Sequence, residues 1–157
     1  MNLKNIKYYL VLEIIGWIFA FLLAWLILLP VEKHIYADPF KRHNLWFVVS
    51  FITLVRYIFM IRYLFFGPIQ WLKALFFLGC IPLFIYLLRL FSQFSRFADE
   101  NGLESFMIHL LNDQQTSLSG YIRGEMIFFG AGSMIATVVF AIRLLVSIWL
   151  FHNRKII

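Results

Sequence analysis

The residues with most chemistry to offer are three arginines set inside apolar runs and one glutamate. Arg56 and Arg62 interrupt the run Leu45–Phe66, Arg143 interrupts Met126–Leu150, and Glu13 lies near the start of the first apolar run. A charged side chain in hydrocarbon is expensive unless it is paired or long enough to snorkel to the interface. Three positives against one acid leave an excess that calls for a counter-charge. A carboxylate on another subunit, a lipid phosphate or an anionic substrate would serve. Arg56 carries this argument furthest, because it stands near the middle of its run. Arg62, six residues on, faces about 120° away on a helix of 3.6 residues per turn. A voltage-sensor ladder needs several arginines along one helix, and this spacing does not provide it.

Other constellations are weaker. His34 and Asp38 are four apart with His43 nearby, but they lack the ligand spacing of zinc motifs. His109 and Asp113 are also four apart, followed by Ser117 and Ser119. That imitates a Ser–His–acid set, yet a solvated helix face produces the same pattern, and a triad is recognised by geometry. No catalytic set, metal site or cofactor is expected. The single cysteine, Cys80, reads as a small buried hydrophobe. The net charge of +6 raises the question of nucleic acid. Its positives are scattered through apolar runs rather than gathered on one face, so no nucleic-acid partner is expected.

These residues need elements to hold them, and the composition says which solvent those elements face. The 157 residues are 62% hydrophobic and only 14% charged, against about 45–50% and 25% in soluble domains. Too little polar surface remains to coat a water-soluble bundle. A transmembrane β-barrel would need alternating segments of about ten residues rather than continuous apolar runs. The reading is an all-α integral membrane protein: a four-transmembrane-helix bundle in one membrane domain. The spans are 10–29, 45–66, 69–90 and 126–150, with an extramembrane connection over 92–125. Span one is too long for a signal h-region and has no small-residue cleavage site, so it reads as an uncleaved helix.

Within the connection, Leu103, Phe106, Met107, Leu110 and Leu111 recur at helical spacing. They predict a short amphipathic helix between the third and fourth spans, on the membrane surface or against the bundle. Gly67-Pro68 joins spans two and three as a tight turn. Arg89 and Arg96, at the far end of span three, read as headgroup contacts. An even number of spans puts both termini on one side, with Lys4, Lys7, Lys73, Arg154 and Lys155. Lysine and arginine counts set orientation, and Lys4 and Lys7 beside the first helix favour cytoplasmic termini.

Helices in lipid associate through small residues that let backbones approach. Span one offers Gly16, Ala20 and Ala24; span four offers Gly132 and Ala136. At 100° per residue Glu13 lies within about 20° of Ala20 and Ala24, and Arg143 within about 20° of Gly132 and Ala136. The two charges also lie at matching depths, which predicts a Glu13–Arg143 contact between spans one and four. Pro82 predicts a kink in span three. With little chemistry and almost no extramembrane domain, the chain reads as a small membrane subunit. Its partners would be membrane lipids and either other membrane subunits or a second copy of itself, with a buried arginine meeting a partner carboxylate or lipid phosphate. The alternative is a transporter or channel component for a small anion or lipid-like substrate. A membrane enzyme acting on a lipid phosphate would need an acid, nucleophile or metal cluster that the sequence does not supply.

Overall fold

A single segment crosses lipid as a helix because only a helix satisfies every backbone polar group internally. Among the described residues the chain has four helices of this kind. The computed structural model describes residues 3–35, 40–61, 64, 69–108 and 110–153. In it α1 is Leu3–His34, α2 is Lys41–Met60, α3 is Gln70–Glu100 and α4 is Asn112–Asn153. All four are long and apolar enough to cross a membrane.

The helices pack in the order α1–α2–α4–α3. Helix α2 lies against both α1 and α4, and α4 lies against both α2 and α3. Two interior clusters mark the ends of the bundle. At the end holding Ile35, Phe40 and the 3₁₀ turn Leu103–Phe106 (the loop end), Phe47, Leu87, Phe94, Met107, Ile122 and Met126 pack together. At the opposite end (the termini end), Tyr57, Ile61, Leu64, Phe140 and Leu144 do so. Ala24, Val48 and Val49 form a third cluster in the α1–α2 seam.

Length distinguishes the helices. At about 1.5 Å per residue α2 is about 30 Å long, the thickness of the hydrocarbon core. Helices α3 and α4 have 31 and 42 residues, so the α3–α4 hairpin continues past the lipid at the loop end. The stretch 92–125 is therefore mostly helix rather than loop. A single 3₁₀ turn, Leu103–Phe106, is the short helical element between the third and fourth spans. Gly102, at φ 70°, separates it from α3 in a conformation that a side chain would resist. Leu103 and Met107 are buried beneath it, whereas Leu111 is exposed. The Gln115 amide donates to the Met107 and Leu110 carbonyls, at 3.0 and 2.9 Å, and holds the turn against the start of α4.

Candidate functional site

Glu13 finds its counter-charge within the chain. Arg56 Nη2 on α2 donates to Glu13 Oε1 on α1 at 2.7 Å. Arg56 Nη1 reaches the Glu13 main-chain carbonyl at 3.5 Å, and the Tyr57 hydroxyl donates to the same Oε1. The guanidinium carbon also lies 5.1 Å from the centre of the Tyr57 ring, a distance at which the ring's negative face attracts a cation. Two donors on one carboxylate oxygen and a ring against the cation make a compact, self-neutralised cluster.

Local sequence explains why Arg56 fits there. One turn beyond Glu13 stands Gly16, and the guanidinium fills the space that a side chain at Gly16 would occupy. Helix α2 ends at Met60, short of the Phe66 expected from hydropathy. Arg56 is therefore about 6 Å from the end of its helix. Both charges lie in the termini-side halves of their helices.

Two expectations are corrected here. Arg56 is paired within the chain, so it makes no demand for a partner carboxylate or lipid phosphate. The Glu13–Arg143 contact gives way to Glu13–Arg56 because at this depth α2 stands between α1 and α4, which meet nearer the loop end, where the Tyr121 hydroxyl donates to the Ile27 carbonyl at 2.9 Å. Arg143 lies on an exposed side of α4, although its depth matches that of Glu13. The small residues do serve packing, but both stripes face α2. Ala20 and Ala24 are buried on α1, with Ala24 in the seam beside Val48 and Val49. On α4, an added Cβ at Gly132 would meet the Phe51 ring of α2 at 2.9 Å. Ala136 packs in the cluster of Leu54 and Tyr57.

A second polar tie was not legible as such. Lys73, read as a termini-side charge at the start of span three, is buried in the first turn of α3. Its Nζ donates to Ser147 Oγ of α4 at 2.9 Å. A lysine and a serine, each alone in an apolar stretch at the same depth, were the available signal. Pro82 lies inside α3, and the thiol of buried Cys80 donates to the Phe76 carbonyl one turn back.

Between α2 and α3 is a partly open cavity of about 600 Å³. Its walls include Trp46, Thr53 and Tyr57 from α2 and Gly79, Leu83 and Tyr86 from α3, with Phe140 of α4 behind them. Tyr57 thus has its hydroxyl on Glu13 and lines the cavity as well. Arg62, Asp38 and His109 lie outside the described residues, as does the His34 side chain. His43 donates from Nε2 to Gln93 Oε1 at 3.2 Å, joining α2 to α3. Among the described residues no three His, Cys, Asp or Glu side chains gather as metal ligands would.

No protein-family model, curated protein or solved structure matches this chain.

Proposed function

We propose that the protein is a small integral membrane subunit that assembles through its edge helix α1, with a second copy or with a larger membrane complex. The observation that carries this reading is the one-sided packing of α1. Ala20, Ala24 and Leu28 are buried against the bundle, and among its larger helix contacts α1 has α2 alone. Its other faces carry Phe21, Leu22, Trp25 and Leu26, all exposed. Van der Waals packing drives helix association in lipid, and large flat side chains offer the most contact area.

The transport alternative loses its main support, because the arginine that would attract an anion is occupied by Glu13 and Tyr57. Cytoplasmic termini remain part of the proposal, on the strength of Lys4 and Lys7.

Size measurement of the full chain extracted from its own membrane in mild detergent tests the assembly. A mass above that of one chain, reduced to one chain by Phe21→Ala with Trp25→Ala, is the expected result. A single chain over a hundredfold range of concentration, with no stoichiometric companion, would overturn it.

A further inference from the structure

The cavity between α2 and α3 is a window rather than a channel. At the loop end its walls are tied by the His43–Gln93 hydrogen bond. Phe40, just before α2, also packs on Phe94 and Phe97 of α3, with ring centres 5.6 and 4.9 Å apart. At the termini end, Ile61 and Leu64 join the same cluster as Leu72 and Phe76. Between these ties the window runs from Trp46 to Tyr57 along α2, about 16 Å. A transmembrane helix needs the whole hydrocarbon thickness of about 30 Å. It cannot enter a gap tied at both ends over half that length. A flexible hydrocarbon chain entering sideways from the bilayer can.

Directly beyond the window along α3 the chemistry changes. Tyr86 lies on the rim, Arg89 follows one turn on, and Ser92, Gln93 and Arg96 continue the strip. Arg89, Ser92, Gln93 and Arg96 line a shallow cavity of about 500 Å³, with Glu100 at its far end. Arg89, Ser92 and Arg96 are exposed. Asp99, the neighbouring acid, is 3.7 Å from Arg123, so the strip keeps two guanidiniums against one carboxylate. Measured from the Lys73–Ser147 tie, Arg89 is about 24 Å and Arg96 about 35 Å along α3. They bracket the far face of a hydrocarbon core about 30 Å thick, the depth of a lipid phosphate.

We propose that the window and this basic strip form one binding site for a phospholipid with an anionic headgroup. Arg89, Arg96 and Ser92 hold the phosphate, and an acyl chain passes Tyr86 into the α2–α3 window. Arginine suits the role because its planar donors match phosphate oxygens two at a time. Gly79 keeps the window clear: an added Cβ there meets nothing within 4 Å, so a larger side chain would project into open space without disturbing the walls. Trp17 of α1 also lines the cavity, so the site borders the helix proposed for assembly on a side other than its exposed Leu22 and Leu26.

Native mass spectrometry of the full chain, with phosphatidylglycerol or phosphatidylcholine added, reads the site directly. Each guanidinium near a membrane surface is worth about fivefold, so the pair should favour phosphatidylglycerol about thirtyfold. Arg89→Gln with Arg96→Gln should bring the two lipids to parity, as should Ser92→Glu, which sets a negative charge on the same strip. Gly79→Leu should reduce retention of both lipids at least tenfold. Millimolar inorganic phosphate should displace neither. The proposal is overturned by equal retention of the two lipids in the wild type, by a preference that survives the arginine and Ser92 variants, or by full retention in Gly79→Leu. Displacement by inorganic phosphate alone would mark a free-phosphate site and overturn it equally.

Discussion

The Arg56 guanidinium occupies the space in front of Gly16, and that overlap makes a glycine on one helix the seat of an arginine on the next. In lipid a glycine stripe is usually read as a place where two backbones meet. Here the gap admits a charged side chain, which then reaches the Glu13 carboxylate one turn back.

Gly16→Ala should therefore break an ion pair rather than merely widen a seam. Separating the partners of a fully buried pair costs about 3–5 kcal/mol. Both side chains keep some exposure, 18% for Arg56 and 11% for Glu13, so about 2–3 kcal/mol is expected. Gly79→Ala, whose Cβ meets nothing, should change stability by less than about 1 kcal/mol, near its helix-propensity gain. Reversible SDS unfolding in mixed micelles compares the two. Equal effects would remove the seat argument.

Tyr57→Phe deletes one donor to the carboxylate and leaves the ring packed 5.6 Å from Phe140. A hydrogen bond to a charged group contributes about 1.5–3 kcal/mol. A loss in that range is expected in the same unfolding measurement. Because Tyr57 and Glu13 share one network, the loss should shrink in a Glu13→Gln background. Additive losses would mean that the hydroxyl acts elsewhere.

The four helices were legible in the sequence because hydropathy over twenty residues is a one-dimensional quantity. So was the presence of charges that had to be neutralised. Which charges meet depends on helix order, and nothing in the spacing of Glu13 or Arg143 encodes that α2 stands between their helices. Helix periodicity put each charge on the same face as its small residues and matched their depths, so the pairing was coherent and still wrong. The end of α2 at Met60 was not legible for a related reason. Ile61 to Phe66 is as apolar as the helix before it, and hydropathy alone cannot mark where a helix stops. Lys73 was hidden because one lysine at a helix start looks like an interface residue until a serine is found opposite.

The Lys73–Ser147 hydrogen bond ties α3 to α4 at the termini end, where Lys73 is 5% exposed. Ser147→Ala leaves a buried ammonium without that acceptor. It should destabilise the protein by about 1–3 kcal/mol. Lys73→Met keeps the stem and removes the charge. Combined with Ser147→Ala it should recover most of the loss, because replacing both partners by apolar groups can be nearly neutral. A double variant as unstable as Ser147→Ala alone would show that the contact contributes little.

Charge reversal separates Arg56, which pairs with Glu13, from Arg143, which sequence spacing had matched to it. Arg56→Glu with Glu13→Arg reconstitutes a pair across the same α1–α2 seam, although Gly16 is placed to receive the guanidinium from α2 rather than from α1. Partial recovery relative to either single reversal is therefore expected. Arg143→Glu with Glu13→Arg should recover nothing, because Arg143 lies on an exposed side of α4 and α2 separates it from α1. Arg143→Gln by itself should shift stability by less than about 0.5 kcal/mol, as surface substitutions do, whereas Arg56→Gln should cost about 2–3 kcal/mol by stranding the Glu13 carboxylate. Each variant is read by SDS unfolding and by the yield of folded protein from membranes. If Arg143→Gln were the more damaging of the two, α1 would have to lie against α4 at the depth of Glu13 as well as at the Tyr121–Ile27 hydrogen bond, and the α1–α2–α4–α3 order would fall with the ion pair.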